Sequence, residues 1–304
     1  MMSLKKPDMR WYQEGEPKQE GKMADPLDYI DVGQFPIHQV ESDAYGALIR
    51  SIRADLAKDG CAVLKGFIDP DRIPELVREA DQVAPEAHAS KNRTNVYFSQ
   101  DDETLPQDHP KRRFYDRSNA FIPADNFGAE SILRAIYEWQ PFFDFIRDAL
   151  DENEDSFFKY ADPLADVIVN MADEGNGFPW HFDTNNYTVT LAIQNAEEGG
   201  DFEYAANIRK GDENFEVVKD VLDGKSDLIT KLRLEPGDLQ IFKGRYSLHR
   251  VAPLVGATPR YVAIFSYVEE PGMVGSPERT KQLYGRVLPI HLERAGLRAD
   301  AYMD

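Results

Sequence analysis

A single cysteine, Cys61, in 304 residues rules out an intrachain disulfide, so packing alone must hold the fold. Its place in the apolar run CAVLKGF reads as core, and so little thiol fits a reducing cytoplasm. Long apolar runs are also missing. No stretch approaches the roughly 18 residues that would span a bilayer. The opening MMSLKKPDMRWYQEGEPKQEGKMADP has no apolar segment of the kind a signal peptide needs. Basic charge is scarce: 35 Lys and Arg stand against 54 Asp and Glu, a formal net charge of −19. Such a chain repels phosphate backbones and anionic lipid, so neither nucleic acid nor membrane is an expected partner. Oligomeric state leaves no trace in the sequence. Internal repeats and low-complexity segments are absent.

The halves of the chain differ in texture. Residues 1–30 are polar, with Pro7, Pro17 and Pro26, and read as an extended or partly disordered arm. Residues 31–304 read as one domain, since no linker divides them. Within it, 43–59 carries Leu48, Ile49, Ile52 and Leu56 at helical spacing, and Gly60 can end that helix. CAVLKGF reads as a buried strand and PDRIPELVREADQV as a second helix. Between 84 and 126 no period is sustained, which predicts a long functional loop. It includes HPKRRFYDRSNAFIP, a basic and aromatic cluster open to reading as a solvated turn or as a substrate contact. Ile132, Ile136 and Trp139, then Phe142, Phe145, Ile146 and Ala149, form helical stripes that belong to a core.

From Leu164 the pattern turns to short strands: LADVIVNMA, NYTVTLAIQ, GDFEYAANI, DLITKLRL, DLQIFKG and RYVAIFSYV, separated by EGNG, EEGG and EPGD. One acidic helical insertion, DENFEVVKDVLDG, interrupts them. Strands without interleaved helices predict an α+β chain: an antiparallel jelly roll over about 160–270, helical support over 43–150, and a C-terminal helical segment at 276–304.

Chemistry concentrates at PWHFDTNNYTVTLAIQ. In an extended strand residues i and i+2 share a face, so His181 and Asp183 project together. That is either a surface pair or two-thirds of a two-histidine, one-carboxylate metal site. Of six histidines, His38, His88, His109 and His291 sit in polar context; His249 begins a late strand in KGRYSLHRVAP. A jelly roll offers a way to return it beside the first pair. Eleven residues on, Arg260 opens the next strand and can meet a carboxylate bidentately. Trp180, beside His181, points the other way in a regular strand and reads as core. Arg250 is open to two readings, substrate carboxylate or surface acid. Asn185 and Asn186 read as turn formers or polar contacts, and Asn170 sits where a side chain can reach the pocket.

Taken together, HFDTNNYTVTLAIQNAEEGGDFEY, FKGRYSLHRVAP and YGR at Tyr284–Arg286 resemble iron(II)/2-oxoglutarate-dependent oxygenases. The likeness is to the branch of free amino-acid hydroxylases and related halogenases. It covers 170–284, a little over a third of the chain. The resemblance implies a double-stranded β-helix, iron(II) held by His181, Asp183 and His249, and Arg260 on the far carboxylate of 2-oxoglutarate, with O2 as oxidant. Apart from the resemblance, Asn170, Asn185 and Arg250 are the candidate substrate contacts by position. Halogenases of this branch replace the aspartate ligand with a small residue, whereas this chain keeps Asp183, which points to hydroxylation. Many members carry a serine two residues after the arginine. Here that residue is Val262, so Thr190 becomes a candidate for the missing cosubstrate contact.

The expected function is hydroxylation of an unactivated C–H bond in a small polar metabolite, a free amino acid or derivative, with release of succinate and CO2. Desaturation or cyclisation with the same cofactors is the nearest rival. A rival of another class is a non-catalytic jelly-roll protein that holds a metal. A closed structural zinc site generally has four protein ligands; three plus a separate arginine favours an open, reactive site.

Overall fold

The computed structural model describes residues 23–90, 92–116, 119–209 and 211–294. Residues 1–22 of the expected arm, 117–118 of the basic cluster and 295–304 of the expected C-terminal segment lie outside the described residues. Helix α1 (Asp43–Asp59) starts where the Ser42 hydroxyl accepts from the Tyr45 amide and ends at Gly60, left-handed at φ 67°. Helices α2 (Ile73–Val83), α3 (Ile132–Glu138) and α4 (Gln140–Leu150) follow. Their apolar stripes pack together in one large cluster with alternate residues of the strands described next.

An eight-stranded antiparallel sheet runs in the order β1 (Cys61–Leu64), β13 (Leu239–Phe242), β9 (Tyr187–Gln194), β16 (Arg260–Val268), β7 (Val167–Ala172), β5 (Ala120–Ile122) and β2 (His88–Ala89). Strand β6 (Phe158–Lys159) adds to β16. A four-stranded sheet, β12 (Ile229–Leu232), β11 (Phe202–Ala205), β14 (Leu248–Val251) and β8 (Phe178–His181), faces it. Two ribbons complete the strands: β3 (Arg93–Thr94) with β4 (Tyr115–Asp116), and β10 (Glu198–Gly199) with β15 (Leu254–Val255). This is the double-stranded β-helix. Helix α5 (Phe215–Leu222) is the acidic insertion, and α6 (Pro277–Tyr284) and α7 (Pro289–Glu293) follow the barrel.

Side-chain alternation divides each long strand of the large sheet between two environments. On β9, Tyr187, Val189, Leu191 and Ile193 join the helical core, and so do Tyr261, Ala263, Phe265 and Tyr267 on β16. The opposite set, Thr188, Thr190, Arg260, Val262, Ile264 and Ser266, turns toward the smaller sheet. There Cys61 and Phe242 meet Phe202 and Tyr204 of the other wall. Burial pushes the Cys61 thiol up to about 12, so it stays an unreactive core group.

Two expectations change. The stretch 84–126 is not simply loop: β2 and β5 extend the large sheet, and β3 and β4 form a hairpin. Strands of two or three residues are too short to display a period of two. The run from Pro179 to Gln194 is two strands, because β8 ends at His181 and β9 begins at Tyr187. The intervening FDTNN is rich in turn-forming residues. Among the described residues no helix is long and apolar enough to cross a membrane.

Phe142 is fully buried, 5.9 Å from the Phe67 ring and 5.4 Å from that of Phe265 on β16, and so joins helices to sheet. Phe142→Ala is expected to cost about 3–5 kcal/mol of stability, measured by urea unfolding.

Candidate metal centre

The pairing of β14 with β8 sets His249 directly across from His181. Their rings lie 4.1 Å apart. Each imidazole spends Nδ1 on a backbone carbonyl, His181 on Pro179 at 2.8 Å and His249 on Ser247 at 2.9 Å. Since a carbonyl only accepts, each Nδ1 carries the proton and each Nε2 keeps a free lone pair. Both Nε2 atoms face Asp183 Oδ1, at 3.5 Å from His181 and 3.4 Å from His249. Among the described residues these three are the one group of side chains gathered closely enough to hold a metal ion.

The electrostatics suit a cation. Burial pulls His181 down to about 4, and the neighbouring His249 adds to the shift, so the ring is neutral at pH 7. Burial works to raise Asp183, but the positive charge the two imidazoles carry when protonated outweighs it and draws the carboxyl well below its usual range. Two imidazole nitrogens and one carboxylate are the donors of a facial iron site. Phe178 stacks on His181 at 3.7 Å, and Phe202 and Phe242 flank His249 at 5.5 and 5.1 Å. These rings restrict rotation of the ligands.

Asp183 reaches its place by a different route from the one expected. It lies beyond the end of β8, so strand periodicity does not align it with His181. Its amide donates to the Gly244 carbonyl at 3.2 Å and its Oδ2 accepts from the Thr188 hydroxyl at 2.5 Å. Strand β9 and the turn after β13 thereby position a residue that sequence spacing assigns to β8.

Arg260 opens β16 on the inward face, opposite Ala172 of β7. It is 6% exposed, and among the described residues no carboxylate or hydrogen-bond acceptor pairs with it. Burial lowers its guanidinium to about 10, still protonated at neutral pH. An unpaired buried cation is costly, and an anionic ligand is the partner that would offset that cost. Gly200, at φ 71°, runs along the Arg260 side chain, where a Cβ would come within 3.2 Å of Cδ. The residues present therefore fit both a metal ion and a carboxylate-bearing cosubstrate.

The other candidates separate. Asn170 is buried on β7 across from Val262, its amide nitrogen without a hydrogen-bond partner among the described residues. Thr190 donates to Gln240 Oε1 at 2.9 Å, and Gln240 in turn donates to Cys61 Sγ at 3.2 Å. Asn185, in the turn after β8, lines a cavity of about 1230 Å³ whose wall also includes His181 and Asp183. Arg250 faces the outer side of β14, paired with buried Glu203 at 2.6 Å and stacked over Trp180 at 4.9 Å. Trp180 packs with Val96, Tyr97 and Phe182, as a core residue would. Residues 88–90 and 92–100, with helix α6, supply most of the cavity's other side. Sequence reasoning missed Phe178, Thr188, Gly200 and Gly244. Only Gly200 left a signal, in EEGG, and it read as an ordinary turn.

A double-stranded β-helix with this donor set is an iron(II)/2-oxoglutarate-dependent oxygenase. Within that class, the Halogenase D family model matches residues 45–282, and the chain belongs to that family. No curated protein matches the sequence. Among solved structures, AviO1 from Streptomyces viridochromogenes Tue57 is similar in fold, with a TM-score of 0.51 at 14% identity, covering 75% of this chain and 97% of that one. HygX from Streptomyces hygroscopicus, solved with nickel, 2-oxoglutarate and hygromycin B, gives a TM-score of 0.49 at 10% identity, with 73% and 88% coverage. A Pseudomonas putida prolyl-4-hydroxylase gives 0.47 at 14% identity, with 73% and 99% coverage.

Because Arg250 lies on the far face of the sheet, Arg250→Ala is expected to leave metal affinity within about twofold of wild type. The lost contact to Glu203, which keeps Lys231 at 2.8 Å, should lower stability by about 1 kcal/mol. Metal titration and thermal melts check the two effects separately.

Proposed function

We propose that the protein hydroxylates an unactivated C–H bond of a small polar metabolite, a free amino acid or a derivative of one. In this reading His181, Asp183 and His249 hold iron(II), and Arg260 holds the far carboxylate of 2-oxoglutarate. The observation that carries it is the pair of features in one barrel: an intact two-histidine, one-carboxylate set, and a buried guanidinium with no partner of its own. Amino-acid chemistry rests on the likeness of HFDTNNYTVTLAIQ and FKGRYSLHRVAP to enzymes of that kind. The single cysteine fits a reducing, cytoplasmic setting.

When bound, the iron supplies oxidation of the C–H bond, coupled to decarboxylation of the keto acid to succinate. The chain's own residues do the rest. The two imidazoles and the carboxylate would hold the metal and leave room on it for the keto acid and O2. Arg260 would orient the cosubstrate through charge-assisted hydrogen bonds to its far carboxylate. Phe178, Phe202 and Phe242 keep water from the histidines. Asn185 and Ser266 present polar groups to the cavity beside the metal ligands, and Asn170 offers an amide inside the barrel. Retention of Asp183 supports hydroxylation over halogenation, because an anionic ligand must leave before a halide can take its place.

Incubation with a panel of free amino acids, iron(II) and 2-oxoglutarate should give succinate matched to a product one oxygen heavier. Loss of two hydrogens instead would mean desaturation or ring closure, and a chlorine isotope pattern in chloride buffer would overturn the reading of Asp183. In His249→Ala, bound iron and turnover should both be lost; full activity would refute the ligand set. Arg260→Ala should raise the KM for 2-oxoglutarate roughly 100-fold, the scale of one lost bidentate contact. Lysine there should rescue only in part, having no planar fork.

A further inference from the structure

Asp183 stands outside any strand, yet its two carboxylate oxygens face different partners. Oδ1 looks at both imidazole Nε2 atoms. Oδ2 is taken by the Thr188 hydroxyl at 2.5 Å. Thr188 is well placed to be rigid. It lies on β9, flanked in register by Phe242 of β13 and Ser266 of β16, in the middle of the large sheet. Gly244 closes the other side. Its backbone runs so near the Asp183 carboxylate that a Cβ there would overlap Oδ2 outright. Gly244 has no left-handed backbone to explain the residue choice, so the close approach is the reason that a glycine stands there.

We infer that Thr188 and Gly244 form a clamp that presents Asp183 to the metal through Oδ1 alone. Thr188 is a positioning residue in this scheme, acting through Asp183. A carboxylate free to rotate could turn both oxygens to the metal and fill a position that cosubstrate or O2 requires. The hydroxyl prevents this by engaging Oδ2, and the absent side chain at 244 leaves the carboxylate room to sit where Thr188 can reach it. The inference rests on the iron-binding reading of His181, Asp183 and His249.

Thr188→Val keeps the branched shape and removes the donor, whereas Thr188→Ser keeps the donor and removes a methyl. Anaerobic titration with iron(II), followed by the visible absorption on adding 2-oxoglutarate, reads the site without turnover. Val should weaken iron(II) binding about 10- to 100-fold and shift that absorption, the scale on which groups that orient a metal ligand act. Ser should restore both to near the wild-type values, which a merely space-filling role for Thr188 would not produce. Gly244→Ala provides an independent variant and should also weaken binding at least tenfold. Iron(II) affinity in Thr188→Val within twofold of wild type, with unchanged absorption, would overturn the clamp while leaving the ligand set standing. Failure of the wild-type protein to bind iron(II) would overturn the ligand set and the clamp with it.

Discussion

The register between β14 and β8 is the constraint on which the rest of the site depends. It places His249 opposite His181, and a slip of one residue would turn His249 to the outer face and bring Leu248 or Arg250 inward. The register is secured from several sides. On its other edge β14 pairs with β11, where Tyr204 faces His249. Phe202 and Phe242 pack around the same ring. Once both imidazoles are buried side by side, their carbonyl partners set the tautomers, and the Nε2 lone pairs converge on one point. Asp183 needs only to be delivered to that point, and a different part of the chain delivers it.

Two buried arginines show how burial and partnership separate structure from function. Arg209 is fully buried, but Glu213 meets it at 2.6 and 2.9 Å and the Phe182 ring lies under it at 4.3 Å. Its charge is answered within the fold. Arg260 is nearly as buried in a chain with 54 carboxylates, and none of those described is placed against it. Supplying a carboxylate would be easy for so acidic a protein, and the bare guanidinium supports the cosubstrate role proposed for it. Gly200 leaves room beside its side chain, where a Cβ would press on Cδ.

Membership of the Halogenase D family and retention of Asp183 bear on different steps. The barrel and its donors determine that a metal and a keto acid can be held. What stands in the third ligand position decides whether an exogenous anion finds room. The cavity, by contrast, draws on parts of the chain outside the barrel. The cavity beside His181 and Asp183 is bounded by the irregular stretch after α2 and by α6, with Gln100 of one donating to Glu278 of the other at 3.1 Å.

Sequence by itself determined the elements and the donor types. Helical stripes such as Phe142, Phe145 and Ile146 and the alternation along NYTVTLAIQ were legible because burial imposes a period, 3.6 on a helix and 2 on a strand. His181, Asp183, His249 and Arg260 were legible because few residue types bind iron or a carboxylate and these fall in a recognisable order. Tertiary structure decided what those residues touch. Spacing assigned Asp183 to a strand face, while backbone and hydroxyl contacts from Gly244 and Thr188 hold it. Arg250 adjoins a ligand in sequence and faces away from it in space, since neighbours on a strand point to opposite sides. The short strands within 84–126 became visible only as edges added to a sheet already formed. In each case the deciding contact joins segments far apart in the chain, and a local pattern carries no record of it.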